Sequence, residues 1–173
     1  MFLRKAKLSE AHEILNFYEN VIDSIENSEF NPKWNENYPN LEFIRKSISS
    51  GGLQIFKPNN KTLASIVINN EFSKEYNDIA WLTDSKSDET IILHAFAINP
   101  NHRGEGIGMK IFDEIKENAL KNNIKSIRID VIDGNDGTMK FFEHLGFEYV
   151  NTIEIFHNAV GLEKFHLYEF PLC

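Results

Sequence analysis

A glycine-rich segment past the middle of the chain has the residue types and spacing to bind an anion. Three glycines at alternate positions follow an arginine in the segment Arg103-Gly104-Glu105-Gly106-Ile107-Gly108. An apolar run of strand length ends at Ile98, and from Ile107 apolar residues recur at helical spacing. Glycines at such a junction let the backbone approach a ligand, with N–H groups at the positive end of the helix dipole. The segment is therefore predicted to bind phosphate.

His94, within the apolar run, is the first choice for a general base. An imidazole titrates near working pH and can accept a proton from a reacting group. On an extended strand it shares a face with Ile92 and Phe96, although a bulge would shift that parity. The alternative is a histidine that packs in the core or positions a ligand.

Carboxylates near the ends of two predicted strands are further candidates for proton transfer. Glu89 and Asp88 precede the strand and could act through a chain of water molecules. Asp130 and Asp133, at the end of the next predicted strand, are weaker options because carboxylates at strand ends are often only solvated.

Two motifs together resemble the GNAT superfamily of acyl-CoA-dependent N-acyltransferases. The glycine-rich segment is similar to the family's motif A, Arg/Gln-x-x-Gly-x-Gly/Ala. A later stretch is similar to motif B, in which an Asn opens a short helix that ends at Leu-Gly-Phe, and here it reads Asn135-Asp136-Gly137-Thr138-Met139-Lys140-Phe141-Phe142-Glu143-His144-Leu145-Gly146-Phe147. The resemblance covers nearly the whole chain. A functionally obscure bacterial GNAT subgroup is similar in three further segments, Asn31-Pro32-Lys33-Trp34, Tyr38-Pro39 and Leu93-His94-Ala95-Phe96-Ala97-Ile98.

The resemblance implies that acetyl-CoA is the acyl donor. Its pyrophosphate would lie on the glycine-rich segment, and its pantetheine arm would lie alongside the strand that ends at Ile98. A bulge in that strand would present an N–H to the thioester carbonyl. The residues implied at the cofactor site are Phe96, Ala97, Ile98, Arg103, Gly104, Glu105, Gly106, Ile107, Gly108, Met109, Asn135 and Phe142. For Asn135, helix capping is the alternative.

Phe142 departs from the family pattern. The family usually has a Tyr here that protonates the leaving thiolate, and Phe has no proton to give. Water, the substrate ammonium or another hydroxyl such as that of Tyr149 could substitute. Otherwise acyl transfer is slow, or the domain only binds acyl-CoA. Loss of one general acid is expected to cost ~10²-fold in rate.

A segment rich in Pro and Asn between residues 27 and 40 carries large aromatic side chains. These include Phe30, Trp34 and Tyr38, which must pack against something because a long regular element cannot form there. They are either core anchors or one wall of a substrate pocket, with Glu29 among the nearby carboxylates that supply negative charge. We place Trp34, Tyr38 and Glu29 in the predicted acceptor site.

Composition limits the classes of function. A net charge of −8 argues against a nucleic-acid partner and weakly favours cationic substrates. No apolar run approaches the ~20 residues that span a bilayer, and the N-terminal residues do not resemble a signal peptide, so we expect no membrane association and a cytoplasmic location. The only cysteine, Cys173, is not expected to be catalytic, and no metal site is expected.

The pattern of elements predicts one α/β domain over residues 1–173. The resemblance implies the GNAT fold, with a mixed, mostly antiparallel twisted sheet, about four helices and splayed central strands. The predicted order is β, α, α, several β, α, β, α, β, β, with Trp81-Leu82 as a doubtful extra strand. GNAT relatives are often dimers, so a homodimer is an open expectation.

The leading hypothesis is an acetyl-CoA-dependent N-acetyltransferase that acts on a small primary amine by direct attack in a ternary complex. The alternatives are a non-catalytic acyl-CoA-binding or regulatory module, and a protein N-terminal or lysine acetyltransferase. A pocket roofed by Trp34 and Tyr38 would argue against the last, which needs an open peptide groove.

Overall fold

The computed structural model describes residues 3–172, in which seven strands form one mixed sheet. The strand order is β1-β2-β3-β4-β5-β7-β6, and only β4 and β5 run parallel. The strands are β1 (Arg4–Lys5), β2 (Leu53–Phe56), β3 (Ala64–Asn69), β4 (Thr90–Ile98), β5 (Ser126–Ile132), β6 (Glu148–His157) and β7 (Gly161–Pro171). This confirms the predicted mostly antiparallel sheet. Phe2, where the first strand was predicted to start, and Cys173 lie outside the described residues.

Within residues 3–172, four α-helices cover the two faces of the sheet. They are α1 (Ala11–Ile25), α2 (Leu41–Ser49), α3 (Ile107–Lys121) and α4 (Asp136–His144). Apolar residues at helical spacing bury one side of each helix. On α1 the buried residues are Ala11, Ile14, Phe17, Tyr18, Val21 and Ile25. The Asn40 side chain caps α2 by accepting a hydrogen bond from the Phe43 amide at 2.9 Å.

The core is divided by the sheet. On one face, α3 and α4 pack through residues such as Ile111 and Phe142 against Leu93. On the other, α1 and α2 pack against Ala95 and Ala97. Leu93 and Ala95 are two positions apart and would share a face in a regular strand, yet they pack into different cores, so β4 departs from the regular pleat between them.

The central strands separate after a short shared stretch. β4 and β5 pair only over Thr90–Ile92 and Ser126–Arg128, although both strands continue. Beyond that point β4 pairs with β3 alone. The splayed strands leave an opening that lies between the two helical layers.

A bulge in β4 lies beside this opening. Ala95 has a positive φ of 49°, and the pairing with β3 shifts register between Ser65 and Val67. The bulge changes the side-chain parity of the strand. Phe96 consequently packs with the α3 and α4 core rather than on the face that it would share with His94 in a regular strand.

Two long connections lack regular strands. Residues 26–40 link α1 to α2, and residues 70–89 link β3 to β4. The prediction of an extra strand at Trp81-Leu82 is wrong, because neither residue belongs to a strand. The segment packs onto the sheet, where the Leu82 amide donates a hydrogen bond to the Glu169 carboxylate. None of the described helices has the length and apolar character needed to cross a membrane.

Candidate functional site

A cavity of about 700 Å³ occupies the opening between β4 and β5. The glycine-rich turn and α4 line one end of it. The connection between α1 and α2 and the hairpin of β6 and β7 line the other. The cavity is therefore built from segments that are far apart in the sequence.

The glycine-rich turn has the geometry of an anion site. Gly104 and Gly106 have φ values of +80° and +74°, which side chains with a Cβ rarely adopt, and Gly106 is the N-cap of α3. Among the described residues, no backbone carbonyl accepts a hydrogen bond from the amides of residues 104–109. These donors meet the positive end of the dipole of α3, so the turn can bind a phosphate group.

Arg103 adds a positive charge beside the turn. Its guanidinium lies 5.0 Å from the centre of the Phe30 ring, and no carboxylate among residues 3–172 forms an ion pair with it. Partial burial lowers the pKa of Arg103 from its usual value, but a guanidinium remains charged in proteins. Glu105 lies outside the cavity lining, and its carboxylate is 3.1 Å from Nδ1 of His102.

Polar backbone and side-chain groups continue from the turn along the cavity. Phe96, Ala97 and Ile98 line it on the edge of β4 that β5 has left. Opposite them, Asn135 is only 4% exposed, and its Oδ1 accepts no hydrogen bond within the described part of the chain. A ligand that carries amides along an extended chain would satisfy both surfaces.

α4 closes the cavity with aromatic rings. Phe142 is buried and lies 6.3 Å from Phe96 and 5.1 Å from Phe147, centre to centre. Gly108 permits this packing, since a Cβ there would lie 2.7 Å from Cζ of Phe141. Phe142 lines the cavity but offers only ring atoms to it.

His94 lies where β4 bends away from β5. Its Nε2 is 2.9 Å from Oδ1 of Asn69, and the same oxygen accepts the Glu71 amide at 2.9 Å. A carbonyl oxygen accepts only, so Nε2 donates and the lone pair of the neutral ring is on Nδ1. Burial lowers the pKa of His94 below its usual 6.5, while the Asp130 charge, a hydrogen bond to the Glu71 backbone and the Glu71 charge oppose that shift. The ring is therefore neutral at neutral pH.

A buried tyrosine supports the bulge, a role that no sequence pattern indicated. Tyr18 belongs to the apolar stripe of α1, but its hydroxyl donates to the Ala95 carbonyl at 2.7 Å. Ser65 Oγ lies 3.0 Å from the same hydroxyl. Burial raises the pKa of Tyr18 well above its usual value, so the hydroxyl stays protonated as a donor.

Other sequence-predicted groups lie away from the cavity. Glu89 and Asp88 precede β4 at its far end, and Glu89 forms an ion pair with Lys125 at 2.6 Å. Asp133 is 2.8 Å from His166, outside the lining. The Tyr149 hydroxyl is 2.8 Å from Thr152 on the exposed surface of β6. Of the groups proposed for proton transfer, the cavity brings together His94 and Asp130.

Trp34 and Tyr38 line the second end of the cavity and also pack against the core under α1 and α2, so both interpretations of the aromatic segment remain open. Their ring centres are 6.4 Å apart, and Tyr38 contacts His157 of β6 at 4.7 Å. Glu29 is outside the lining. Its carbonyl accepts the Gly137 amide at 2.8 Å and its carboxylate is 3.6 Å from Lys140, so it joins the connection to α4.

Polar contacts hold this connection against the β6 and β7 hairpin. Lys33 Nζ is 2.9 Å from Glu163, and the Asn35 side chain donates to the Ala159 carbonyl at 3.1 Å. These contacts join segments more than 120 residues apart and roof the second end of the cavity.

The segment between β3 and β4 also contributes a group that the sequence did not indicate. Tyr76 is 3% exposed and its hydroxyl donates to Oδ2 of Asp130 at 2.5 Å. Burial, followed by the Asp130 charge, raises the pKa of Tyr76 well above its usual value. Since the two residues are 54 positions apart, no local pattern could have paired them.

Comparisons with known proteins agree with this geometry. A model of the acetyltransferase (GNAT) family matches residues 20–147. A curated relative, the uncharacterized N-acetyltransferase YesJ of Bacillus subtilis, is 25% identical over 126 residues, which cover 73% of this chain and 64% of that relative. The match thus spans less than two thirds of the relative's length.

Solved structures show the same fold. A GNAT-family acetyltransferase from Streptococcus agalactiae superimposes with a TM-score of 0.79 at 18% identity, covering 98% of this chain and 94% of that one. An acetyltransferase from Salmonella typhimurium, solved with its cofactor acetyl-CoA, has a TM-score of 0.68 at 12% identity, with 99% and 93% coverage. At these identities the likeness concerns the fold.

Proposed function

Because this chain belongs to the acetyltransferase (GNAT) family, we propose that it transfers the acetyl group of acetyl-CoA to a primary amine of a small molecule. The observation that supports this proposal most strongly is one continuous cavity. It runs from the amide donors of residues 104–109, through the opening between the splayed strands, to an end that is covered by aromatic side chains. This shape has room for a donor and an acceptor that meet beside the bulge, as direct attack in a ternary complex requires.

The residues of the first end fit acetyl-CoA. The free amides of the glycine-rich turn and Arg103 match the charge of a pyrophosphate. The exposed edge of β4 at Phe96–Ile98 and the unsatisfied Oδ1 of Asn135 match the amides of a pantetheine arm. In both cases the groups that would bind the donor have no hydrogen-bond partner within the described part of the chain.

The groups beside the bulge fit acyl transfer to nitrogen. The amine nitrogen bonds to the acetyl carbonyl carbon, the carbon–sulfur bond breaks, CoA leaves as a thiolate, and the amine gives up a proton. A neutral His94, with its lone pair on Nδ1, is our proposed acceptor for that proton. The bulge at Ala95 supplies an unusually oriented backbone for the developing oxyanion.

No tyrosine hydroxyl lies at Phe142 to protonate the leaving thiolate. A thiolate is stable enough near neutral pH to leave without full protonation. The proposed enzyme therefore works without a dedicated acid at this position, at a rate reduced by ~10²-fold.

The roofed end favours a small acceptor over a protein. Trp34 and Tyr38 line it, and the Lys33–Glu163 ion pair and the Asn35–Ala159 hydrogen bond join its two walls. A peptide needs a groove that is open along its length. A protein acetyltransferase would therefore require these contacts to break.

The test is CoA release, measured by thiol titration, across a panel of primary amines with acetyl-CoA as donor. Turnover of small amines above the rate of hydrolysis is the expected result. Tight acetyl-CoA binding without turnover of any amine would instead support a non-catalytic acyl-CoA-binding module. Turnover of peptides alone would support a protein acetyltransferase.

A further inference from the structure

A carboxylate faces the acceptor end of the cavity across the opening from His94. The last paired residues of the two central strands are Ile92 and Arg128. His94 and Asp130 follow them by two positions each, on strands that have separated. Both line the cavity, and the Asp130 charge acts on the titration of His94.

One oxygen of Asp130 is held and the other is free. The Tyr76 hydroxyl donates to Oδ2 at 2.5 Å, while Oδ1 accepts no hydrogen bond from residues 3–172. Tyr76 is itself fixed, because the Trp81 indole donates to its carbonyl at 3.1 Å and the Leu82 amide donates to the buried Glu169. The segment between β3 and β4 thus orients the carboxylate and leaves Oδ1 available to a ligand.

Asp130 is the only carboxylate among the described residues that line the cavity. The lysine and the arginine of the lining form no ion pair with Asp130: Lys33 pairs with Glu163, and Arg103 lies over the Phe30 ring beside the glycine-rich turn. Burial lowers the pKa of both His94 and His157, which favours their neutral forms. The acceptor end therefore carries one net negative charge and no free positive one.

The remaining surface at this end is largely apolar. It is formed by residues of the aromatic connection and of the hairpin, namely Trp34, Tyr38, Ile155, Phe156, Val160 and Phe165. Such a surface stabilises an apolar or aromatic body by burial.

We propose that Oδ1 of Asp130 binds the ammonium group of the acceptor, and that the acceptors are primary amines with an apolar or aromatic body and no carboxylate. This inference rests on the proposed function of the same cavity. Tyr76 positions Asp130. The bound ammonium loses one proton to water before attack, and His94 on the facing strand accepts the second proton as the nitrogen bonds to the carbonyl carbon and CoA leaves as a thiolate. Free amino acids are disfavoured, since their carboxylate meets Asp130 and finds no free cation.

The test compares a charged ligand with its neutral isostere. Binding of phenethylamine and of phenethyl alcohol is measured by calorimetry with the protein saturated with CoA, so that no turnover is needed. For the wild type we expect the amine to bind more tightly. Asp130→Asn should weaken amine binding about 10- to 100-fold while changing alcohol binding by less than about 3-fold.

Two further variants distinguish the positioning of Asp130 by Tyr76 from a general effect of changing the protein's charge. Tyr76→Phe keeps the ring and removes the hydrogen bond, so the preference for amine over alcohol should fall, though less than in Asp130→Asn. Glu154→Gln removes one negative charge from an exposed position on β6 and should leave the preference unchanged.

Turnover gives the second readout. Phenethylamine should be acetylated with kcat/KM well above that of phenylalanine, and Asp130→Asn should act mainly through KM. An unchanged preference for amine over alcohol in Asp130→Asn, or phenylalanine as the better substrate, would overturn the inference while the acetyltransferase function stands. Intact amine binding to the CoA complex without any turnover would instead contradict the proposed function and keep the inference.

Discussion

The hydroxyl of Tyr18 on α1 donates a hydrogen bond to the carbonyl oxygen of Ala95 in β4 over 2.7 Å. Ala95 is the residue with positive φ at which β4 bulges, and both groups are buried. Ser65 on β3 lies 3.0 Å from the same hydroxyl. The bulge beside the proposed reaction centre is thus fixed from α1 and from the neighbouring strand.

Tyr18→Phe should destabilise the protein and reduce kcat. The Ala95 carbonyl would be left buried without its donor, which costs about 1–3 kcal/mol in the free energy of unfolding. Urea denaturation measures the loss. In the control Tyr168→Phe, a buried tyrosine outside the cavity loses its bond to Glu143. Equal loss of kcat per unit of destabilisation in both variants would contradict a special role for Tyr18.

The pH dependence tests His94 as the base. Its pKa is lowered, mainly by burial, so the neutral, active form persists to below pH 6.5. The rate should be flat near neutral pH and fall as pH drops through that lowered pKa. In His94→Ala we expect the rate to fall ~10²- to 10⁴-fold and the acidic limb to disappear.

The control for this profile is His12→Ala, an exposed histidine of α1. It should leave both rate and profile unchanged. Survival of the acidic limb in His94→Ala would remove His94 as the base.

Phe142→Tyr tests whether a missing acid limits the rate. Phe142 lines the cavity, and a hydroxyl that reached the leaving thiolate from this ring would protonate it, so kcat should rise by up to ~10²-fold. Phe147→Tyr, which buries a hydroxyl in the adjacent core outside the cavity, should give no gain. An unchanged rate and pH profile in Phe142→Tyr would mean that another group already acts as acid or that none is needed.

The parts of the site that are formed by consecutive residues could be predicted from the sequence. The glycine-rich turn is six consecutive residues, and its strand and helix carry their own periodicity, so residues 103–108 could be placed in advance. The fold class followed from two such motifs at a known separation. Asn135 was identified with them, and its buried, unsatisfied oxygen agrees with a ligand contact.

The acceptor end could not be predicted in the same way. It depends on pairs such as Tyr76 with Asp130 and Lys33 with Glu163, which are 54 and 130 residues apart. The sequence alone could not predict which side chains of β4 share a face of the sheet. The bulge at Ala95 places Phe96 on the opposite face from His94. Glu29 was predicted from a charge argument, and Glu89 was predicted to transfer protons through water, but the contacts of both carboxylates lie outside the cavity.

Gly106→Val tests the anion site. Valine at a φ of +74° is strained and would shift the amides of the turn, so acetyl-CoA affinity should fall by at least ~100-fold through loss of charge-assisted hydrogen bonds. The matched control is Gly161→Val, whose glycine has a φ of +82° in open space at the start of β7. Both should lose a similar ~1–3 kcal/mol in stability. If acetyl-CoA affinity fell equally in the two variants, backbone strain would explain the loss and the anion site at Gly106 would be contradicted.

Equilibrium dialysis with labelled acetyl-CoA tests the central claim most directly, namely that the turn at residues 103–108 and the edge of β4 bind this donor. We predict saturable binding of one molecule per chain, with a Kd below ~1 mM, that unlabelled CoA displaces and that Gly106→Val abolishes. Absence of saturable binding to the folded wild-type protein would contradict the account.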